Sequence, residues 1–406
     1  MTDRGAVGVD HMNGALEVAE ATLRGNWAEG ERDGVPYAYT APSPGHYPWQ
    51  WYWDSCFTGL VWRRFDQQRA RRELTSLLNG MREDGFIGHT IFWEGHVDWR
   101  RRWFYNVDSG KAPNTSTMQP PLLAWAWKIA VGDPAAEPRI ARHHQWLTEN
   151  RDLEGDGLLW LIQPDESGLD SSPKFDPVWG RRAHAHIGFA LLIHRNRKLK
   201  WNARRIRDAG GPVVCEVMTN VLWGLARIAK GEPSITPALI DRCWDESRGL
   251  FLDQVEPSGE RVPISTWAAL APLALPDLPE KIGRRLVEEH LLDPEKYWTP
   301  VPPTSVSREE PSFEPRDWQT LRGRRYWRGP TWVNSAWLLW IGLLRLGYAE
   351  EADHLARSVC DVYAREGSRE FYEPFTGEGL GAVQFGWSAL AAELAEPDPA
   401  AARSYL

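Results

Sequence analysis

Helical periodicity is the strongest pattern in this chain, because apolar residues recur at helical spacing along most of its length and strand-like alternation is scarce. Pro330 stands where a first-turn proline is tolerated, and Gly347 fits a C-terminal cap between two helices. The pattern predicts helices near residues 12–27, 55–65, 67–83, 116–131, 135–150, 212–231, 235–246, 264–274, 279–292, 330–347, 349–366 and 384–394. Polar loops rich in glycine and proline lie at residues 28–54, 84–115, 154–211, 293–329 and 367–383.

Twelve helices separated by polar loops suggest six helix pairs closed into a ring, an all-α (α/α)6 barrel with its functional loops on one rim. The chain has 406 residues, more than the roughly 250–300 at which single cores stop growing, and a closed toroid explains that length. We therefore predict one domain over residues 1–406, with a loop insertion near 154–211 that holds a further helix within 183–200. A helical solenoid is the alternative, but the sequence has no repeat of fixed period.

Charge and cysteine content argue against several classes of protein. A formal net charge of −8 argues against a nucleic-acid partner, since binding a phosphate backbone needs a basic surface. No apolar run approaches the roughly 18 residues that cross a bilayer, and the N-terminus lacks the features of a secretion signal. Cys56, Cys215, Cys243 and Cys360 form no CxxC pair, which is typical of free thiols in a reducing compartment. We expect a cytoplasmic protein with no membrane partner, and the sequence leaves its oligomeric state open.

Metal and cofactor motifs are weak in this sequence. His143 and His144 lack the spacing of a catalytic zinc site. Asp152 begins a segment like the start of a calcium loop, but Gln163 stands where such a loop requires a glutamate. No glycine-rich dinucleotide motif follows a strand. The sequence therefore predicts neither a metal nor a cofactor.

Tryptophan is unusually abundant, with 24 Trp against 12 Phe. It is a demanding core residue, because its N–H must find a partner when it is buried. Flat apolar rings interleaved with polar side chains suit sugars, so the pattern favours sugar binding over plain core packing. The tryptophans that lie in short polar segments are Trp49, Trp51 and Trp53; Trp93, Trp99 and Trp103; and Trp327 and Trp332.

Two early motifs combine aromatic and polar side chains. Trp51 and Trp53 precede Asp54, whose carboxylate would accept two sugar hydroxyls. An aspartate followed by serine is also a common helix cap, so both interpretations of Asp54 remain open. Gln119 precedes two prolines, either as a plain prolyl turn or with its amide pointing into a pocket.

The carboxyl groups suited to acid and base chemistry lie in two later loops. Gly168 permits close backbone approach, and an apolar leucine beside Asp170 would desolvate that carboxyl and raise its pKa, as a general acid requires. A solvated acidic loop is the alternative. Glu370, Glu373 and Glu378 share a glycine-rich loop, and spacing alone does not choose a base among them. Hydrolysis with inversion needs an acid and a base about 6.5–9.5 Å apart, flanking a water.

These motifs resemble, in the same order, those of glycoside hydrolase family 63. The resemblance runs from residue 47 to about residue 390 and rests on Trp51-Tyr52-Trp53-Asp54, Gln119-Pro120-Pro121, Ser167-Gly168-Leu169-Asp170, Tyr326-Trp327-Arg328-Gly329-Pro330 and the segment 370–379. It implies an (α/α)6 barrel and an inverting mechanism on α-linked glucose or mannose. It also implies that Asp170 is the general acid and Glu370 the base, with Glu373 and Glu378 as alternative bases.

The short chain is most similar to the bacterial members of that family that hydrolyse glucosylglycerate and mannosylglycerate. This resemblance implies a small sugar substrate with an acidic aglycone, and 2-O-α-glucosylglycerate is the first candidate, followed by its mannosyl analogue. It implies that the sugar is surrounded by Tyr47, Trp51, Trp53, Asp54, Gln119 and Trp332. Further substrate contacts are expected at His89, Gly168, Gly329 and Trp387.

The resemblance also implies that Tyr326, Trp327 and an arginine from the long loop after the acid hold the glycerate carboxylate. Arg204 is the first candidate for that arginine, and Arg205 and Arg207 are alternatives. The arginine-rich segment 322–328 suits a carboxylate independently of the resemblance, although such segments are more often solvated.

Three other functions remain open. A sugar epimerase on the same barrel would work through histidines, and His89, His186 and His354 are the candidates. A non-catalytic sugar-binding protein would keep the tryptophan platforms but would not need Asp170 and Glu370 to face one another. Within hydrolases the main alternative is a trehalase or another α-glucosidase, which shares the aromatic region before Asp54.

Overall fold

The computed structural model describes residues 4–95, 97–104, 106–107, 112–180, 186–316, 318–320 and 323–395. Its α-helices are α1 Arg4–Gly25, α2 Tyr52–Phe65, α3 Gln67–Asn79, α4 Trp99–Phe104, α5 Leu123–Ala130, α6 Glu137–Arg151, α7 Asp176–Trp179, α8 His186–Lys198, α9 Ala203–Asp208, α10 Val217–Ala229, α11 Thr236–Cys243, α12 Glu280–Leu286, α13 Val333–Leu346, α14 Ala349–Glu366 and α15 Ala391–Leu394. The 3-10 turns are Pro134–Ala136, Pro164–Ser167, Pro173–Phe175, Trp267–Ala269, Ala271–Ala274 and Gly386–Leu390, and a π turn at Val287–Leu291 continues α12.

Six helical segments close into a ring at the centre of the protein. α2 contacts α5, α5 contacts α10, α10 contacts the turn Ala271–Ala274, and that turn contacts α13. α13 contacts the turn Gly386–Leu390, which contacts α2 and so closes the ring. Other helices pack outside the ring, with α3 on α2, α11 on α10, α12 and α14 on α13, and α1 on α14. The predicted (α/α)6 barrel is confirmed.

The ring helices are buried on all sides, whereas an outer helix is buried along one face. Every residue from Tyr52 to Trp62 of α2 is buried, and so is every residue from Val333 to Leu343 of α13. A helix surrounded by other helices has no solvent face, so these segments are nearly continuous apolar runs in the sequence. α3 buries only part of its surface, on the side that packs against α2.

Short antiparallel strand pairs line the loops between the helices. The pairs are β1 Trp27–Arg32 with β2 Val35–Thr40, β3 Gln50–Trp51 with β4 Thr90–Ile91, β5 Val213–Cys215 with β8 Gln254–Glu256, β6 Trp244–Asp245 with β7 Leu250–Phe251, β9 Trp318–Thr320 with β10 Gly323–Arg325, and β11 Arg369–Tyr372 with β12 Gly379–Val383. The sequence predicted most of these segments as loops. Strands of two to six residues are too short for a two-residue alternation to stand out.

Each predicted helix has a helical counterpart, but several boundaries differ. The helix predicted over 116–131 begins at Leu123, because Pro120 and Pro121 have no N–H and disfavour helical backbone before them. The segment 264–274 forms two 3-10 turns, and α10 begins after strand β5. The helix predicted within 183–200 is α8. In the part of the chain that the structure describes, no helix is both long and apolar enough to cross a membrane.

A buried ion pair holds the long loop after α6 against the barrel. Arg151 at the end of α6 donates to both oxygens of Glu166, with Nη2–Oε1 at 2.5 Å and Nη1–Oε2 at 2.8 Å. Glu166 also accepts the backbone N–H groups of Met118 and Ile162, at 3.2 and 2.9 Å. One carboxylate therefore joins the segment before α5 to the loop that carries Asp170.

We expect Arg151→Met to destabilise the protein by about 3–5 kcal/mol, because it leaves Glu166 buried without its cation. Arg71 is a matched control, since it also pairs with a carboxylate at 2.5 Å, on Asp133, but at the surface. Arg71→Met should change stability by about 1 kcal/mol or less. Urea unfolding followed by tryptophan fluorescence measures both values, and equal losses would contradict the importance of the buried pair.

Candidate active site

The first turn of α2, one of the ring helices, carries Asp54. Trp51 is the N-cap residue of α2, so the interpretation of Asp54 as the helix cap is wrong. Asp54 is only 2% exposed. Burial raises its pKa well above the usual range, and the nearby charges of Glu370 and Glu73 add to this rise. Asp54 and Glu370 therefore share one electrostatic environment although they come from opposite ends of the chain.

Gln119 supports this turn from the neighbouring segment. Its side-chain Oε1 accepts the backbone N–H of Trp53 at 3.1 Å, which satisfies one of the unpaired donors at the start of α2. His89 packs against the residue that precedes α2: the centroid of its ring lies 4.7 Å from that of Trp51. Its Nδ1 lies 3.2 Å from Thr117 Oγ1. Burial lowers the pKa of His89 to about 3, so this imidazole is neutral.

Asp170 is half-buried and is fixed by residues of a distant segment. Tyr326 Oη donates to Asp170 Oδ1 at 2.6 Å. Next to it, Ser171 Oγ accepts the backbone N–H groups of Tyr326 and Trp327, at 3.2 and 3.1 Å. The loop that carries Asp170 and the segment around Tyr326 are therefore joined by side-chain and backbone contacts together.

Gly168 lies two residues before Asp170 and packs directly on Trp53. Its φ of +72° is one that residues with a side chain rarely adopt. A Cβ at this position would lie 2.4 Å from Trp53 Cζ2. Glycine is therefore required here for both conformation and space, as its place in the motif predicted.

Glu370 reaches the same site from strand β11. The pairing of β11 with β12 shifts register between Arg369 and Phe371, which places an irregularity at Glu370. Such bulges re-aim side chains and are common beside active sites. Glu370 is 2% exposed, and its Oε2 accepts the backbone N–H of Ala382 at 2.9 Å.

The two neighbouring glutamates of the loop have other roles. Glu373 Oε2 accepts the backbone N–H groups of Phe375 and Thr376 at 2.9 and 2.5 Å, so it stabilises the turn. Glu378 lies at the surface and pairs with Arg316 at 2.9 Å. Of the three glutamates, only Glu370 lies among the site residues and affects the pKa of Asp54.

Aromatic rings connect these carboxyl groups. Trp387 lies 5.0 Å from Trp53 and 5.7 Å from Trp332, measured between ring centroids. Trp332 in turn lies 5.5 Å from Tyr326 and stacks on Trp327 at 3.6 Å. At the other end of the cluster, the ring of Tyr47 meets Trp51 at 5.7 Å. The predicted aromatic residues are thus brought together around Asp54, Asp170 and Glu370.

Arg204 and Gly329, two of the predicted substrate contacts, have hydrogen-bond partners outside the group of site residues described above. Arg204 is exposed on α9, and its guanidinium donates to the carbonyls of Leu153 and Asp152 at 3.1 and 3.3 Å. Gly329 donates its N–H to Ser305 Oγ at 2.9 Å. A Cβ at Gly329 would lie 2.2 Å from the carbonyl oxygen of Glu314, so close backbone packing explains this glycine.

The other tryptophans of the polar segments have mixed environments. Trp93 is buried, donates to Gln50 Oε1 at 2.6 Å and stacks on Tyr37, so its role is structural. Trp49 packs against Phe92, and Trp99 is 73% exposed on α4. The prediction that such tryptophans serve sugar binding therefore suits only part of the set.

Three residues of the site were missed by the sequence interpretation. Phe371 lies 4.7 Å from the ring of Trp332, and Phe385 lies 4.8 Å from that of Trp387. Asp165 is held by Gln163 Nε2, which donates to both of its oxygens. Burial raises the pKa of Asp165 to about 7, and the charge of Asp170 contributes to this rise. Phe371 lies in the motif segment 370–379, whereas Asp165 and Phe385 lie outside the motifs given above, and no spacing rule marks any of the three.

The histidines expected of an epimerase are not gathered in this site. His354 is exposed on the outer helix α14, where its ring packs near Trp298. The side chain of His186 lies outside the described residues. Of the two candidates whose side chains the structure describes, His89 contacts the aromatic cluster, as a neutral hydrogen-bonding ring.

Asp170, through Tyr326, and Glu370, through its neighbour Phe371, thus both adjoin the aromatic cluster around Trp332. The family model described as "Mannosylglycerate hydrolase MGH1-like glycoside hydrolase domain" matches residues 47–388. The chain belongs to this family and is a glycoside hydrolase of family 63, as its motifs predicted.

Curated relatives and a solved structure agree with this assignment. The chain is 29% identical to the mannosylglycerate hydrolase of Thermus thermophilus, over 92% of this chain and 98% of the relative. It is 27% identical to the glucosylglycerate hydrolase of Mycolicibacterium hassiacum, over 87% of this chain and 92% of the relative. A crystal structure of the family 63 mannosylglycerate hydrolase from Thermus thermophilus, in complex with Tris and D-glycerate, superposes with a TM-score of 0.77 at 26% identity, covering 94% of this chain and 99% of that one.

We expect Gly168→Ala to lower kcat/KM by about 100-fold, because the added methyl group displaces either Trp53 or the Asp170 loop. Gly180→Ala is the matched control, since Gly180 has a φ of +81° but open space around its Cβ. The control should lose about 1–3 kcal/mol of stability, because its backbone conformation is one that essentially only glycine adopts, with activity retained. Similar activity in the two variants would mean that the contact with Trp53 does not position the acid loop.

Proposed function

We propose that this protein hydrolyses an α-glycosylglycerate with inversion, and that 2-O-α-glucosylglycerate is its first substrate and 2-O-α-mannosylglycerate its second. The observation that carries the proposal is the contact of Tyr326 with Asp170 Oδ1, which brings the acid to the aromatic cluster that also receives Glu370. A glycoside hydrolase of this mechanism needs two carboxyl groups on opposite sides of one sugar.

Asp170 is the general acid in this proposal. Its carboxyl proton moves to the glycosidic oxygen as the bond from that oxygen to the anomeric carbon breaks, and glycerate leaves. The hydroxyl of Tyr326 then stabilises the aspartate that remains, since a hydrogen bond to the charged form of an acid favours that form.

Glu370 is the general base. It removes a proton from a water molecule as that water attacks the anomeric carbon from the face opposite the leaving group, which inverts the configuration. Its burial and its engagement with the Ala382 N–H fix the direction of the carboxylate. Glu373 and Glu378 are less suited, because the first caps a turn and the second pairs with Arg316.

Asp54 and the aromatic rings bind the sugar itself. Trp53, Trp332 and Trp387 provide apolar faces, and the Asp54 carboxyl among them can hydrogen-bond to hydroxyl groups at the rim of a pyranose. This pairing of flat apolar surface with few placed polar groups is what a sugar site requires.

The glycerate half is supported by the relatives and by charge. The names of the relatives specify mannosylglycerate and glucosylglycerate, and the similar crystal structure contains D-glycerate. Tyr326 and Trp327 lie beside the acid, where the leaving group departs. Arg204 donates to two backbone carbonyls, which are neutral and do not balance its positive charge. Arg207, in contrast, forms an ion pair with Glu154.

We also propose that residues 1–406 form one catalytic domain, with 154–211 as a loop insertion, and that the protein works in the cytoplasm. One contiguous hydrophobic cluster that includes both Ala15 and Ala395 supports the single domain. All four cysteines are free and buried, which supports a reducing compartment.

We expect Asp170→Ala and Glu370→Ala each to lower kcat by about 10²–10⁴-fold, because each removes a positioned proton carrier. Glu378→Ala is the control and should retain activity, since Glu378 is an exposed, ion-paired side chain. The measurement is glucose release from glucosylglycerate. A mild effect of Glu370→Ala together with a lethal Glu378→Ala would move the base to Glu378. Proton NMR of the first product should show the β-anomer, and a retained α-anomer would rule out inversion.

We expect kcat/KM for glucosylglycerate to exceed that for neutral glucosylglycerol by about 10- to 100-fold, since a hydrogen bond to a charged group contributes roughly 1.5–3 kcal/mol. Arg204→Ala should abolish this preference while hydrolysis of the neutral substrate survives. Arg207→Ala is the control and should keep the preference, because Arg207 is paired with Glu154. Equal rates on the two substrates in the wild type would show that the aglycone is uncharged. Parallel assays with mannosylglycerate decide between the two sugars.

A further inference from the structure

Glu73 is a buried carboxyl group that the proposed mechanism does not use. It lies on α3 and is 0% exposed. Its Oε1 accepts from Thr58 Oγ1 at 2.6 Å and from the Thr40 N–H at 3.1 Å, and its Oε2 accepts from Thr40 Oγ1 at 2.8 Å. Among the residues that the structure describes, its partners are hydroxyls and one amide, and no salt bridge to an arginine or lysine forms.

This lack of a cation distinguishes Glu73 from other buried glutamates of the barrel. Glu393 is equally buried, but it pairs with Arg63 and Arg64 at 2.5 and 2.6 Å. A carboxyl held only by hydroxyls and an amide carries a large desolvation cost. Consistent with this, burial raises the pKa of Glu73 to about 7. Stability therefore does not explain why a glutamate occupies position 73.

The network around Glu73 supports the turn that carries Asp54. Thr58 Oγ1, which donates to Glu73, also lies 2.9 Å from the carbonyl oxygen of Asp54. Gln50 Nε2 lies 3.3 Å from the Glu73 carbonyl oxygen and 3.1 Å from Ser55 Oγ. These contacts join α3, strands β2 and β3 and the first turn of α2 behind the sugar site. The charge of Glu73 also acts on Asp54 itself.

We propose that Glu73 is a positioning residue of the sugar site, which holds the backbone of the turn that carries Asp54 through Thr58. Three donors converge on its two oxygens, two from Thr40 of β2 and one from Thr58 of α2, so that Glu73 ties α2 to β2 and α3. Glu73 does not touch the sugar. The inference rests on the proposed function, in which Asp54 binds the sugar hydroxyls.

Glu73→Gln tests this role, because the amide keeps the shape but places an NH2 group among three donors. We expect the KM for glucosylglycerate and the Kd for glucose, followed by tryptophan fluorescence, to rise at least about 10-fold, with a smaller change in kcat. In an Asp54→Asn background the same change should alter the Kd less than about threefold, since residues that act through one another are not additive. Glu73→Asp should recover part of the affinity.

Glu393→Gln is the matched control, another buried glutamate at 0% exposure with no contact to the first turn of α2. It should lower the melting temperature with KM and Kd within about twofold of the wild type. Thr58→Val is a second test if Glu73→Gln does not fold, and it should also weaken sugar binding.

Unchanged sugar affinity in the folded Glu73 or Thr58 variants of an active enzyme overturns this inference alone. Full additivity with Asp54→Asn also overturns it. A wild-type protein that binds no sugar and cleaves no glycosylglycerate overturns the proposed function and this inference together.

Discussion

Closure of the inner helix ring is the constraint on which the site depends. α2 follows the first loop and the turn Gly386–Leu390 lies near the end of the chain, yet the ring closes only where these two meet. The contact is made in part by Trp53 against Trp387, 5.0 Å apart. It brings Asp54 close enough to Glu370 for their charges to interact. The candidate site therefore depends on tertiary closure, because its residues come from both ends of the chain.

The sequence predicted the principal helices and the toroid, because helical periodicity is a local signal, and its ordered motifs pointed to the residues of the candidate site. It did not predict the irregular pairing at Glu370, since a register shift depends on how β11 meets β12 and leaves no composition signal. The same limit applies to Phe371, which looked like an ordinary strand residue until Trp332 was placed beside it. Gly329 shows the reverse case, where a motif glycine is explained by the passing backbone of Glu314.

Tryptophan content was an imperfect guide for a related reason. Trp332 and Trp93 are both buried and both come from polar segments, but only Trp332 lies in the aromatic cluster of the candidate site. Sequence spacing tells which tryptophans are unusual; the direction of each indole is set by the elements that meet there. The raised pKa of Asp54 has a similar origin, because the charge of Glu370, which adds to the effect of burial, comes from a segment that is remote along the chain.

Ser171 has a consequence for how substrate preference in such an enzyme can change. Its single hydroxyl oxygen receives two consecutive backbone N–H groups, those of Tyr326 and Trp327, directly beside Asp170. In the proposed mechanism, the segment beside the leaving group and the loop of the proton donor are therefore held together by these contacts. Replacing residues 326–330 alone would break the hydrogen bonds between this segment and Ser171 and would disturb proton transfer. A change in leaving-group preference therefore requires that the Asp170 loop and residues 326–330 be exchanged together, or that side chains be altered without moving the backbone.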